Sequence, residues 1–491
     1  MKKFLCILLS VILAFPALCL PVFARDRVSY TVTDPYREVN WDTWQAYKFQ
    51  PHCHTNASDG YLTVKESVQL HYDYDYDVLA ITDHGTLNQG WDKAPDTVPL
   101  MRLIKKERTG MADIVPLTDE EYAAYLNGTA LRSDGSAREN GMLDVPKGIE
   151  LNLATPVADC HLTGYWSDYG QGLAGVFGDY ETPSAGVKKA GGISMLSHVG
   201  EFVYTDKDSE AHAGQPVDEY YANKFARIFL DNAGSGVGMG INSATDAHTR
   251  CDRILYDQIL QKTIPNGVTP WAFCFSDSHN ETSVNDAYTM LYMPALTVDN
   301  VRSCMENGQL FAVSHYSNGV ELNGMPEIPG YKEEDVDWQS NETPLVTRVT
   351  VDDENDKIYV EGENFHMITW VSDGQVVLRE SDITDGKAVL DLNDEALLDD
   401  ISLFIRFYIV GDNGICYSQP FTVLREGETL TPVTVPVTND ISTKLRTLVT
   451  VLDWLMFKFN PVIWLFKYFA LGYDPIDQAT SSVRDVFTGQ F

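Results

Sequence analysis

Seven short stretches of this chain place metal-ligating side chains close together: His52 and His54, Asp59 in Ser58-Asp59-Gly60, His84 in Thr82-Asp83-His84-Gly85, Glu150 in Gly148-Ile149-Glu150, His161 after Cys160, His198 after Ser197, and Asp277 with His279. Imidazoles mixed with carboxylates suit zinc, manganese or iron, and nine ligands exceed what one ion takes. The reading is a cluster of two or three divalent ions that makes water reactive for hydrolysis.

In an extended strand, residues i and i+2 project to one side, so His52 and His54 converge while Cys53 turns the other way. Asp277 and His279 repeat that spacing. A single such pair is weak evidence. The ensemble is stronger, because six of the eleven histidines fall in these motifs, each near an apolar run.

Those runs define the positioning elements. Val78–Thr82, Gly192–Leu196 and Trp271–Phe275 read as strands that each lead into a ligand. Thr63-Val64-Lys65-Glu66 reads as a capping box opening a helix that carries Val64, Val68 and Leu70. A second helix is expected from Val298 to Glu306, capped by Thr297 and stopped at Gly308. Alternating strands and helices with ligands at strand ends imply a parallel α/β barrel. Residues of about 94–145 break the rhythm and read as an insertion at the barrel mouth.

After residue 330 the composition turns β-rich. Val346–Val351, Lys357–Glu361, Ile368–Val371 and Leu403–Val410, with turns at Asp373-Gly374 and Asp412-Asn413-Gly414, suggest a small antiparallel sandwich. The expected organisation is a signal peptide (1–24), a barrel (25–330), a β-sandwich (340–426), a linker (427–442) and an apolar amphipathic helical tail (443–491). Lys2 and Lys3 before the apolar run Phe4–Leu20 carry the export reading. Residues 443–474 are locally basic and interrupted by Asp453, Lys458 and Pro461, which suits contact with a membrane surface rather than a span.

The 491 residues are 44% hydrophobic, with 36 basic and 70 acidic side chains and a formal net charge of −34. Such a surface argues against a nucleic-acid partner. A small phosphorylated or ester substrate remains compatible, since bound cations reverse the field locally. The six cysteines beyond the signal form no CxxC pair and read as core residues rather than a disulfide framework.

The ordered set over about residues 45–315 resembles the PHP (polymerase and histidinol phosphatase) family of metal-dependent phosphoesterases. Gly308-Gln309-Leu310-Phe311 and Tyr417-Ser418-Gln419-Pro420 further resemble an exported branch related to carbaryl hydrolase. The resemblance implies a distorted seven-stranded (β/α) barrel and up to three metals. It would assign His52, His54, Glu150 and Asp277 to one ion. Glu150 would bridge to a second, completed by His161 and His198, and Asp59, His84 and His279 would hold the third. Asp83 is expected to orient a ligand, and Arg250 or Arg253 to clamp phosphate. Carboxylic ester, carbamate or amide hydrolysis is the enzymatic alternative. A surface-binding protein with structural metals is the non-enzymatic one.

Overall fold

A computed structural model describes residues 27–96, 102, 111–151, 161–170, 180–203, 214–242, 250–315, 336–338, 340–397 and 399–437. The export segment and the 443–491 tail lie outside these residues, as do Cys160 and residues 97–101 and 103–110 of the insertion. Among the described residues no helix is long and apolar enough to cross a membrane.

The strands of the first part are β1 (Tyr30–Thr33), β2 (Gln45–Gln50), β3 (Val78–Leu79), β4 (Leu143–Asp144), β5 (Ile149–Leu151), β6 (Leu162–Tyr165), β7 (Ile193–Leu196), β8 (Gly236–Gly240), β9 (Trp271–Phe273), β10 (Ala287–Met293) and β11 (Leu310–Ser314). The second part adds β12 (Leu345–Asp352), β13 (Lys357–Glu363), β14 (Met367–Ser372), β15 (Gln375–Glu380), β16 (Lys387–Asp391), β17 (Phe404–Gly411), β18 (Gly414–Tyr417) and β19 (Phe421–Arg425). The described α-helices are α1 (Val64–Asp73), α2 (Asp119–Leu126), α3 (Glu181–Lys189), α4 (Glu219–Asp231), α5 (Asp252–Thr263) and α6 (Val298–Asn307).

The architecture is mixed α/β with three sheets. One five-stranded sheet runs β5-β6-β7-β8-β9, and β12-β13-β16 form a second. The third runs β1-β19-β17-β18-β11-β10-β2-β3-β4, with β14 and β15 branching from β17. No closed barrel is formed by the ladders among the described residues. Between the two sheets that carry the ligands, β-pairing among the described residues consists of single parallel bridges, His84 to Glu150 and Cys53 to Ser278. The physical reason is local. Strands of two or three residues end where the backbone bends to present a ligand, and His198 (φ 24°) and Asp277 (φ 50°) leave extended geometry altogether. Nor are all strands parallel, because β6 runs against both β5 and β7.

Local signals are realised where they are strong. Thr63 and Glu66 exchange backbone and side-chain bonds at the start of α1, which buries Val64, Val68 and Tyr72 while Leu70 is half-exposed. Thr297 caps α6, and Gly308 ends it at φ 73°. The β14–β15 hairpin turns at Asp373 and Gly374, both at positive φ, which fits a tight hairpin turn.

The third sheet links distant parts of the chain. β1 pairs with β19, and β11 with β18, so the β-rich residues continue into the ladder that ends at the ligand-bearing β2 and β3. Gln419 completes this connection. Its amide accepts from Ala272 N at 2.8 Å and donates to Ala272 O at 2.9 Å, holding the edge of β9 just ahead of Asp277. The insertion packs against α1 and the ligand loop. Tyr72 Oη donates to Ala130 O, and Asn56 Nδ2 donates to Ala112 O and Asp113 O. Arg102 binds Asn56 O as well, so this segment braces the turn between His54 and Asp59.

Candidate metal centre

All nine expected ligands lie at one edge of the two sheets. His52 and His54 follow β2, His84 follows β3, His198 follows β7, and Asp277 and His279 follow β9. Glu150 sits within β5. His161 precedes β6, and because that strand runs in reverse its start lies at the same edge. Two glycines are needed for this convergence. A Cβ at Gly148 would sit 2.4 Å from Ile81 O, and one at Gly60 would sit 2.8 Å from the His54 carbonyl carbon.

Glu150 is the hub. Its Oε1 lies 3.1 Å from His161 Nδ1 and 3.4 Å from both His52 Nε2 and His198 Nε2. Its Oε2 lies 2.7 Å from His84 Nδ1 and 3.3 Å from His54 Nε2. Asp277 Oδ1 stands 3.0 Å from His54 Nε2 and 3.2 Å from His52 Nε2. Asp59 faces His279 Nε2 at 3.4 Å and His84 Nε2 at 3.6 Å.

Three groups have ligand atoms that all lie within 4.8 Å of one another: His54, Asp59, His84 and His279; His52, His54 and Asp277; and His52, Glu150 and His198. The grouping differs from the expected partition in two respects. His54 also reaches the third set, and His52 joins Glu150 with His198, while His161 approaches Glu150 from the side.

These residues fit metal ions. Nε2 of His52 and His54, Nδ1 of His84, both Glu150 oxygens and Asp277 Oδ1 are buried without a well-aligned hydrogen-bond partner. Buried polar atoms left so are costly, and their mutual aim suits cations between them. The electrostatics agree. Burial pushes the Glu150 carboxyl upward, but His161, His84 and His52 outweigh it and hold the group well below the carboxylate range. Asp59 is depressed against the same burial by His84, His279 and His54. Burial opposes a proton on His54, yet Asp277, Glu150 and Asp59 raise it well above the ordinary imidazole value. The pocket calls for positive charge.

Oxygens behind the imidazoles fix their orientation. Thr82 Oγ1 lies 2.6 Å from His52 Nδ1, and His279 Nδ1 donates to Asp277 O at 2.8 Å. Ser58 Oγ lies 3.3 Å from His54 Nδ1 and donates to Asp83 Oδ1 at 2.5 Å. With the proton on Nδ1 in each case, Nε2 presents its lone pair inward.

Asp83 therefore does not act on its neighbour His84. It accepts from Thr55 N, Thr55 Oγ1 and Ser58 Oγ, tying down the loop that carries His54 and Asp59. Thr82 and Ser58 stood inside the quoted motifs without an assigned role. A hydroxyl beside a histidine motif is the signal that would have singled them out.

The arginines stand apart from the nine. Arg253 is buried and contacts Asn242 Oδ1 at 3.3 Å and Tyr417 Oη at 3.4 Å, so a β-rich partner engages its guanidinium. Arg250 is half-exposed ahead of α5. Cys53, Cys251, Cys274, Cys304 and Cys416 are buried free thiols. Cys53 reaches Ala80 O behind the site, on the side opposite its flanking histidines.

No family model matches the chain, and no curated protein matches it in sequence. Among solved structures it is similar to a two-domain protein containing a predicted PHP-like metal-dependent phosphoesterase from Bacteroides vulgatus, at 13% identity and TM-score 0.38, covering 81% of this chain and 99% of that one. A putative metal-dependent phosphoesterase from Bifidobacterium adolescentis matches at 13% identity and TM-score 0.26 over 48% of this chain and 88% of its own. An amidohydrolase from Chromobacterium violaceum matches at 15% identity and TM-score 0.28 over 53% of this chain and 96% of its own. At TM-scores below 0.5 these likenesses carry no weight for function, which rests on the site itself.

Proposed function

We propose that this protein is a metal-dependent hydrolase of phosphate esters, monoester or diester, using two or three divalent ions such as zinc, manganese or iron. The convergence of nine side chains at one edge, five imidazoles of them facing Glu150, with buried atoms left for a cation to satisfy, carries the reading. His54, Asp59, His84 and His279 would hold one ion. His52, His54 and Asp277 would hold another, and His52, Glu150 and His198 a third, with His161 adjoining. Ions bound there supply a lowered water pKa and Lewis acidity toward a phosphoryl oxygen.

The chain's own contribution is positional. Thr82, Ser58 and the Asp277 carbonyl hold three imidazoles in register, and burial keeps bulk water from screening the field. Charge favours phosphate over a neutral carboxylic ester. Three carboxylates against two or three divalent ions leave a net positive centre, which draws an anionic substrate. The seven strands from β2 to β9, counting β4 and β5 as one broken strand, would act as a distorted barrel around it.

Export through residues 1–24, kinship with the exported carbaryl-hydrolase-like branch and membrane-surface contact through residues 443–474 belong to the same proposal. Signal cleavage in a secreting host and liposome binding before and after removal of 443–491 test the export and membrane readings.

The function is tested by turnover of p-nitrophenyl phosphate, bis-p-nitrophenyl phosphate and p-nitrophenyl acetate with and without chelator. Chelator-sensitive cleavage of a phosphate is expected. Cleavage of the acetate alone would move the reading to carboxylic esters, and metal binding with no turnover of a broad panel would move it to a structural role.

A further inference from the structure

A cavity of about 400 Å³ opens beside the metal centre, lined by Ser276, Asp277, His279, Asn280, Thr282, Ser283, Asp286 and Trp338. Asp277 and His279 are two of the nine ligands, so whatever fills the cavity lies next to them. Among the described residues the remaining lining supplies an indole, hydroxyls, an amide and one further carboxylate.

Asp286 is the unusual member. It is 5% exposed, and its carboxylate has no hydrogen bond or ion pair among the described residues. Its backbone is engaged, with N donating to Ser283 O and O accepting from His315 N. Trp338 is positioned through its carbonyl, which accepts from Asn285 Nδ2 at 2.9 Å.

We propose that this cavity is a subsite for the cationic, amine-bearing portion of the substrate, held between the Asp286 carboxylate and the Trp338 indole. This rests on the hydrolase reading above and adds a substrate class to it: phosphate esters whose alcohol carries an ammonium group. The Asp286 oxygens are open to the solvent of the cavity, so an entering cation can pair with the carboxylate directly, and an aromatic side chain in the same lining adds attraction for an ammonium ion. Burial pushes Asp286 up to about 7. A bound ammonium would hold it ionised.

Two measurements on the metal-loaded full chain test the proposal. The first is calorimetric titration with ethanolammonium chloride. Wild type should bind one equivalent, and Asp286→Asn should weaken binding by about tenfold or more, the scale of a lost charge-assisted hydrogen bond. Trp338→Leu should weaken it by a smaller factor, and serves as the variant should Asp286→Asn fail to fold. The second compares kcat/KM for O-phosphoethanolamine and n-propyl phosphate, which differ by ammonium against methyl. Wild type should prefer the former by about tenfold, and Asp286→Asn should erase the preference.

Binding that depends on Asp286 without turnover of any phosphate would sink the hydrolase reading and keep the cation subsite. Chelator-sensitive phosphatase activity with no amine preference, and ethanolammonium binding undetected or equal in the variants, would overturn the subsite alone. A metal content that falls in Asp286→Asn would also overturn it, by making Asp286 a ligand.

Discussion

Arg406 and Asp257 meet in a dry interior through parallel hydrogen bonds of 2.8 and 2.7 Å, both side chains 1% exposed. Glu150 is buried as deeply, yet it faces five imidazoles and neither oxygen finds an aligned partner. The first region pairs a charge of each sign, although Arg406 Nη1 has no hydrogen-bond partner of its own, and ties β17 to α5. The second is incomplete by design of its side chains, since every inward atom is a donor of electrons awaiting a cation. Buried charge thus serves structure where fold supplies both signs, and function where the fold supplies one.

The comparison breaks most sharply at His54, which belongs to two ligand groups. His54→Ala should cut phosphate-ester turnover by more than the ~100-fold seen when an outer partner of a ligand is lost, with bound metal reduced. Its thermal stability in chelator should change little, as measured by circular dichroism. A turnover loss that tracks unfolding would place His54 with Arg406 instead.

At the other pole, Asp257→Asn strands a buried guanidinium. It should cost about 3–5 kcal/mol in denaturant unfolding while leaving kcat of the folded fraction intact. Smaller effects sharpen the boundary. Ser58→Ala removes the hydroxyl between His54 and Asp83, and metal affinity should fall by roughly 10–100-fold in a competition titration, with little loss of stability.

Lys48 gives the weakest signal. Its ammonium reaches Tyr74 O and Asn285 Oδ1, and burial, opposed by Asp75 and Asp77, lowers it from 10.5 to about 7. Between those two values the unfolded chain holds this proton and the folded protein does not. Stability should therefore gain from this group as pH rises through that window, by at most about 1.4 kcal/mol per pH unit, with no further change below about 7. Lys48→Met should flatten the slope; an unchanged slope would show that Lys48 is not its source.

The candidate ligand cluster was legible in sequence because His52, His54, His84, His198, Asp277 and His279 each follow a strand, and because Asp-x-His and His-x-His spacings survive translation into space. The capping box at Thr63 and the stop at Gly308 were legible for the same local reason. The barrel read from the sequence is not closed by the ladders of the described residues, since pairing between strands of two or three residues rests on bridges such as His84 to Glu150, which no periodicity encodes. Which ligand Asp83 serves was not legible, because adjacency to His84 suggested contact there, whereas the chain turns and the carboxylate reaches back to Thr55 and to Ser58, the hydroxyl beside His54. Asp286 and Trp338 sit in no motif, and only the cavity joins them.

Elemental analysis of the purified chain beside its His54→Ala variant tests the central claim most directly. Two or three equivalents of a divalent transition metal in wild type are expected, with a clear loss in the variant and phosphate-ester turnover that vanishes on chelation and returns on adding the metal back. Less than one equivalent in wild type, or turnover indifferent to chelator, would contradict it.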